Sequence, residues 1–323
     1  MENFHEIKHL LNEESFSGKY EFLNKINDGL FSTVFKAKDK ISHQDVVIKF
    51  LHLPPNLNKV EKLTRIASFE QECQISSRLS HPNIIRLLSS GVISGDNHFA
   101  AFEYASGISL DEHLKLYGAL DAELAMIIMS QIMEAMSYIH RCGFIHCDIK
   151  PANIILSERA RKPHAVLLDF GISIVSPVLE GKDVFYQPAF SHERQGTPGY
   201  CSPEQLRGEN VTYQSDFYMW GLVFLECLTG VPAISGATLA QLYHQSLSSA
   251  SVPIPTALLV HPLGYLLQTV LHKKSSERAS DAARILNDLG QIAIDDLAGK
   301  LPRKILQHED KPTIDLYQIK RKR

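Results

Sequence analysis

The sequence holds one tryptophan and five cysteines, and no two of the cysteines form a C-x-x-C pair. Cys73, Cys142, Cys147, Cys201 and Cys227 are odd in number and scattered, so neither a zinc ribbon nor a disulfide framework can be read from them. A reduced, cytosolic chain is the expectation. Neither sign of charge dominates: the formal net charge is -3. That argues against nucleic acid as the main partner, because neutralising phosphates takes clustered Lys and Arg. The longest apolar run, Phe217 to Leu228, contains Glu226 and falls short of the roughly 20 residues a bilayer demands. No membrane span is therefore expected. Met1 to Leu11 is rich in His, Glu and Lys and lacks the apolar stretch of a signal peptide. The chain has no internal repeat and no low-complexity tract.

What is present suits a globular protein of two subregions. The 323 residues are 44% hydrophobic and 21% charged, enough to bury a core without disulfides or metals. From Tyr20 to about Phe102 the pattern is rich in strands, with β-branched and aromatic runs such as Val46-Val47-Ile48 and Phe99-Ala100-Ala101-Phe102. One helix interrupts them, with Phe69, Cys73, Ile75 and Leu79 on its apolar face and an end before His81-Pro82. After Gly107 the pattern turns helical. Asp121 caps a helix bearing Leu124, Ile128, Ile132, Ala135 or Met136, and Ile139, and Gly143 suits its left-handed end. Ser215-Asp216 opens the apolar helix that closes near Gly230 and reads as buried on all sides. Ser280-Asp281 caps a last helix with Ile285, Leu286, Leu289 and Ile292, which fades by Gly299.

The chemistry is concentrated in two short segments: His146-Cys147-Asp148-Ile149-Lys150-Pro151-Ala152-Asn153, then Asp169-Phe170-Gly171 behind the apolar Ala165-Val166-Leu167-Leu168. In their order and spacing they resemble the catalytic and metal-binding loops of the protein kinase family, specifically bacterial, eukaryotic-like serine/threonine kinases. The resemblance runs from about residue 20 to residue 293. It implies an α+β, bilobal fold: a small antiparallel β-sheet lobe with one helix (about 20–103) and a larger, mainly helical lobe (about 107–293). Residues 1–19 would be an N-terminal extension and 294–323 a C-terminal tail.

The implied activity is transfer of the ATP γ-phosphate to Ser or Thr hydroxyls of protein substrates, the chain itself among them, by a cytoplasmic enzyme. A phosphoryl group in a loose transition state needs metal ions to offset its charge and a nucleophile held in line. Asp148 would take the acceptor hydroxyl's proton and Lys150 would neutralise the moving phosphate. Asn153 and Asp169 would hold Mg²⁺, with Mn²⁺ an alternative. Lys49, in Val46-Val47-Ile48-Lys49, would hold the α- and β-phosphates. Its carboxylate partner is Glu72, nine positions before His81 of His81-Pro82-Asn83, with Glu70 the second candidate. The ATP pocket implied by the resemblance also takes in Ile26, Asn27, Gly29, Phe31, Ser32, Val34, Val47, Phe102, Glu103, Ala105 and Ile155. There the backbone of Glu103 and Ala105 would meet the adenine edge, Phe102 would lie at the back, and Ile155 would form the floor. Lys150-Pro151 matches serine/threonine rather than tyrosine kinases. Gly196-Thr197-Pro198-Gly199-Tyr200 with Ser202-Pro203-Glu204 matches the peptide-seating segment. There Thr197 would contact the catalytic Asp and Lys, and Glu204 would pair with Arg278.

Several residues depart from the family pattern. Only the central glycine of the phosphate-covering turn remains, in Asn27-Asp28-Gly29-Leu30-Phe31-Ser32, and Asn27 is expected to supply a positive φ in its place. Val47 replaces the usual alanine above the base. Cys147 replaces the arginine that in many members binds a phosphate on the activation loop. Activity independent of such phosphorylation is therefore expected, although Ser173, Ser176, Ser191 and Thr197 are present. Redox control through Cys147 and Cys201 is a further reading. Ser76 occupies an ordinarily apolar place, which suggests a loosely docked Glu72 helix. A catalytically dead relative would have lost Lys49, Asp148, Asn153 or Asp169. A small-molecule kinase would lack Lys150-Pro151 and the peptide-seating segment.

Overall fold

The computed structural model describes residues 14–93, 97–176 and 197–294, together with 297 and 301. The chain divides into two compact units, Met1–Ser80 with Ile85–Ala105, and His81–Ile84 with Ser106–Arg323. The first is β-rich with one long helix and the second mainly helical, as expected for the α+β class.

In the first unit, strands β1 (Tyr20–Asp28), β2 (Ser32–Asp39), β3 (Asp45–Leu51), β4 (Leu87–Val92) and β5 (His98–Glu103) form one antiparallel sheet in the order β1-β2-β3-β5-β4. Side chains alternate across a strand, and burial follows. Phe35, Ala37, Val46, Ile48 and Phe50 are buried, whereas Val34, Lys36, Val47 and Lys49 between them are half-buried. The buried set joins Tyr20, Ala101 and Phe16 in one core cluster. Phe16 comes from the short helix α1 (Glu14–Ser17), and its ring lies 4.7 Å from that of Phe99. The other face is thereby left for function. It carries Val34, Val47 and Lys49, with Phe102 directly opposite Val47 and Ala100 opposite Lys49. Helix α2 (Lys59–Ser77) starts at a reciprocal Asn58–Glu61 capping box. It meets this same face, with Phe69 6.3 Å ring-to-ring from His98. Leu79 is buried but lies just beyond the helix end.

The second unit contains β6 (Ile108–Ser109), α3 (Leu110–Tyr117), α4 (Ala122–Arg141), β7 (Phe144–Ile145), β8 (Ile154–Arg159), β9 (Lys162–Leu167) and β10 (Ile174–Val175). Helices α5 (Pro203–Arg207), α6 (Tyr213–Thr229), α7 (Leu239–Leu247), α8 (Thr256–Leu259), α9 (Pro262–Val270) and α10 (Ala282–Gln291) follow. Asp121 caps α4 as expected, accepting from the Leu124 N–H at 2.8 Å, and Gly143 has φ 82° just past its end. Helix α6 is buried from Ser215 through Thr229 and closes on Gly230 at φ 76°. The Trp220 indole N–H donates to the Met129 carbonyl at 2.9 Å, tying α6 to α4. A Cβ on Gly221 would come within 2.8 Å of the Val270 side chain, so glycine permits the close approach of α9.

Helix α6 opens earlier than the sequence pattern predicts. The Ser215 hydroxyl accepts from the Thr212 N–H at 3.1 Å, which places Ser215 inside the first turn. Asp216 is then free to serve another segment. Asp281 does cap α10, but the helix ends at Gln291 and Ile292 lies just outside it. Gly299 and the basic Lys320–Arg323 lie outside the described residues.

Candidate active site

Within the first unit, Lys49 Nζ sits 2.6 and 2.8 Å from the two carboxylate oxygens of Glu72, a bidentate contact. The carboxylate side chain is 7% exposed, so the pair is largely shielded from solvent, and removing either partner would leave the other charge poorly solvated. Glu70 is two residues away on α2, about 200° around the helix. It is 53% exposed and faces His98 at 3.7 Å. Glu72 is thus the partner of Lys49.

The β1–β2 turn differs from its expected form. Asn27 is a strand residue opposite Val34, and it is not among the residues with positive φ. The turn is closed by other means. The Gly29 N–H donates to the Ser32 carbonyl at 2.8 Å, and the Thr33 hydroxyl donates to Asp28 at 3.0 Å. Lys25 and Thr33 together hold the Asp28 carboxyl below the usual carboxylate range. Ladder pairing across these strands removes the need for the left-handed residue that Asn27 was expected to supply. Ile26, at a register shift in β1, is 51% exposed. At the end of β5, the Glu103 N–H is already engaged by the Arg86 carbonyl at 3.0 Å. Ala105 is half-buried.

In the second unit the residues of the His146–Asn153 segment converge on two carboxylates, Asp216 and Asp148. Asp216, fully buried, accepts from the His146 N–H at 2.9 Å and the Cys147 N–H at 2.8 Å, and lies 2.8 Å from His140 Nε2. These contacts hold Cys147 at φ 67°, a left-handed conformation that non-glycine residues rarely adopt. The bend leads directly into Asp148. Its carboxylate meets Lys150 Nζ at 2.7 Å and accepts from Asn153 Nδ2 at 2.9 Å. The same Asn153 amide also donates to the Asp148 carbonyl at 2.9 Å. His146 Nδ1 faces the Asp148 N–H at 3.2 Å and Nε2 faces the Leu168 carbonyl at 3.1 Å. Burial lowers the His146 pKa, which keeps the ring neutral and fits a proton on Nε2.

Asp169 has φ 64° and accepts from the Gly171 N–H at 3.0 Å. The Leu168 N–H donates to the Asn153 carbonyl at 2.8 Å, so the backbone next to Asp169 is joined to Asn153. With its amide nitrogen committed to Asp148, Asn153 has an Oδ1 that accepts no hydrogen bond among the described residues. An amide oxygen and a carboxylate suit Mg²⁺, which takes few protein ligands and completes its shell with phosphate and water. Among the described residues no group of three or more His, Cys, Asp or Glu side chains is arranged to hold a metal ion. Ile155 is half-buried on β8, opposite Val166.

The peptide-seating segment is described from Thr197 onward, with Gly196 outside. Thr197 is exposed, and its carbonyl accepts from the Tyr200 and Cys201 N–H groups. Glu204 and Arg278 form the expected pair, at 2.6 and 2.9 Å. Ser173 and Ser176 are each 2% exposed, and the Ser173 hydroxyl donates to the His146 carbonyl. Neither is presented for modification, and Ser191 lies outside the described residues. Burial raises the Cys147 thiol far above its ordinary pKa and pushes Cys201 up to about 12. A thiol held protonated is a poor oxidant sensor, which counts against the redox reading.

Three participants were missed from sequence. His140 and Gln205, whose Nε2 donates to the Cys147 carbonyl at 2.8 Å, brace the catalytic loop. Gln131 bonds Asn83 of the His81-Pro82-Asn83 segment at 3.0 Å. Only distant chain segments reveal these contacts.

Comparison with known proteins agrees with this arrangement. The protein kinase domain family matches residues 20–289. Serine/threonine-protein kinase pkn3 of Myxococcus xanthus is 30% identical over 279 residues, covering 85% of this chain and 50% of that protein. PrkC of Bacillus subtilis is 34% identical over 214 residues, 66% of this chain and 31% of its own length. PknB of Mycobacterium tuberculosis is 29% identical over 283 residues, 85% of this chain and 43% of its own length. The chain therefore spans half or less of the length of these relatives. With the family's residues in both units and its domain matched nearly end to end, this chain belongs to the protein kinase family.

Proposed function

We propose that this chain is an ATP-dependent serine/threonine protein kinase acting on protein substrates, itself included, with residues 20–293 as the kinase domain between an extension (1–19) and a tail (294–323). The observation that carries the reading is the Asp148 carboxylate, shared by Lys150 and Asn153 on a loop tied down by Asp216. A carboxylate so oriented accepts the proton of an incoming hydroxyl as its oxygen attacks phosphorus. Lys150, already at the same oxygen, offsets the charge of the phosphoryl group in transit.

Lys49, fixed by Glu72, binds the α- and β-phosphates. The base is assigned to Val34, Val47 and Phe102 of the first unit, with Ile26, Asn27, Gly29, Phe31 and Ser32 forming the strand end and turn over the phosphates. Because the Glu103 N–H is engaged by Arg86, its carbonyl and the Ala105 backbone are the groups assigned to the adenine edge. Asn153 and Asp169 would hold Mg²⁺, which supplies charge neutralisation on the phosphate oxygens. Thr197 is assigned to the acceptor side, contacting Asp148 and Lys150 once peptide is bound. Among the described residues no helix is long and apolar enough to cross a membrane. The cysteines among them are free thiols, in keeping with action in the reducing cytoplasm.

The test is phosphate transfer from labelled ATP with Mg²⁺ to the chain and to a generic basic protein, followed by phosphoamino-acid analysis. Label on Ser or Thr that vanishes in Asp148→Ala and Asp169→Ala establishes the activity. Intact ATP binding without any label refutes it.

A further inference from the structure

We propose that Arg65 is a positioning residue for nucleotide, a clamp joining the tip of the β1–β2 turn to the helix that carries Glu72. The Arg65 guanidinium carbon lies 3.7 Å from the centre of the Phe31 ring at the turn tip. Both side chains are half-buried, so the cation–π contact is partly desolvated and stronger than on an open surface. Arg65 and Glu72 are seven residues apart on α2, two helical turns along one side. One face of the helix therefore makes two attachments to the sheet: Glu72 to Lys49, and Arg65 to Phe31. Lys49 is the cross-strand partner of Val34, three residues after Phe31. The Phe31 carbonyl also accepts from the His52 N–H at 2.9 Å, just past the end of β3. Turn, strand, ion pair and helix form a closed circuit.

This circuit explains how a turn with Asn27 and Ser32 in place of glycine holds its shape. Backbone freedom is replaced by fixed cross-links, namely Lys25 to Asp28 at 2.7 Å, Thr33 to Asp28, and Arg65 on Phe31. The cost is coupling, because any displacement of α2 moves Arg65 off the ring as it moves Glu72 off Lys49. Toward its C-terminal end α2 buries Phe69, Glu72, Cys73, Ile75 and Ser76, the Ser76 hydroxyl without a hydrogen-bond partner among the described residues. Nucleotide affinity thereby reports on the seating of α2. The inference rests on the kinase reading for the identity of the ligand over the turn.

The experiment measures ADP affinity, kcat and KM for ATP in wild type, Arg65→Ala, Arg65→Lys, Phe31→Leu and the Arg65→Ala/Phe31→Leu double variant. Arg65→Ala should weaken ADP binding and raise KM for ATP by about threefold to tenfold, with kcat within about twofold and the apo unfolding midpoint within a few degrees of wild type. Arg65→Lys should recover part of the loss. The double variant should be no worse than the poorer single variant, as expected for contacting partners. Unchanged ADP affinity in Arg65→Ala, additive losses, or a lowered unfolding midpoint with normal affinity each overturn the proposal. Failure of the kinase reading looks different: wild type binds ADP and transfers no phosphate, while the affinity cycle still reports on the clamp.

Discussion

Asp216→Asn should disable phosphate transfer while leaving nucleotide binding intact. Asp216 lies on α6 in the second unit, fully buried, and its two oxygens serve His140, the His146 N–H and the Cys147 N–H. An amide keeps one acceptor oxygen and turns an NH₂ group toward a donor. The oxygen facing His140 and His146 can be retained, which leaves the Cys147 N–H buried against another N–H. An unsatisfied buried donor costs about 1–3 kcal/mol. Cys147 also stands at φ 67°, a conformation that costs an L-residue about 1–2 kcal/mol when nothing holds it. That strain is already present in the native chain and is released on relaxation, so the loss of stability comes from the unsatisfied donor, about 1–3 kcal/mol, or a fall in Tm of roughly 2–12 °C for a unit of this size. Relaxation of Cys147 displaces the adjacent Asp148, and a misplacement near 1 Å costs on the order of 100-fold in rate. The assay is kcat with ATP and a protein acceptor, beside ADP affinity and thermal unfolding. Lys49 and Glu72 are untouched, so affinity should stay within about threefold. A folded Asp216→Asn variant with kcat within twofold of wild type would refute the reasoning.

Arg278→Ala leaves Glu204 buried without its 2.6 Å partner and should cost about 3–5 kcal/mol in urea unfolding. A loss below about 1 kcal/mol would show that water replaces the guanidinium. Burial raises the Glu226 carboxyl pKa to about 7, with the Tyr200 hydroxyl donating to it at 2.7 Å. The folded state thus holds a proton that the unfolded chain, at an ordinary 4.5, gives up. The contribution is full below about pH 4.5 and lost as pH rises through about 7. Glu226→Gln should flatten this decline in unfolding free energy between pH 5 and 8, and an unchanged slope would contradict the assignment. Cys147 is buried and offers no cation to a phosphate, where the family resemblance leads one to expect an arginine. Phosphatase-treated enzyme should therefore keep its activity, and restoration only by autophosphorylation would oppose this.

Much of the site was legible because phosphoryl transfer requires particular side chains at short spacings. His146 to Asn153, Asp169-Phe170-Gly171 and Lys49 could be named as candidates because their order and spacing resemble the loops of the protein kinase family. The fold class was legible for a related reason, since alternation marks strands and helical periodicity marks helices. Short elements such as α3 and the β6-β8-β9 sheet escaped, having too few residues to show a period. The start of α6 was misplaced because Ser215 and Asp216 look like N-caps, yet Ser215 sits inside the first turn and bonds back to the Thr212 N–H, while Asp216 serves a distant loop. Asn27 was given a left-handed role by its residue type, and strand pairing with Val34 overrode it.

By itself the sequence determined the chemical inventory: which carboxylates, amide and lysines are available, and that residue 147 is a cysteine rather than a cation. Tertiary structure decided the choice among equals and the long-range supports. Helix phase selected Glu72 over Glu70, and packing brought Asp216 to a loop 70 residues away. It also placed Gln205 on the Cys147 carbonyl and Arg65 on Phe31. The physical reason is that reacting groups are set by what the chemistry needs locally. The groups that aim them are set by which surfaces meet when the core closes, and residue order does not encode that directly.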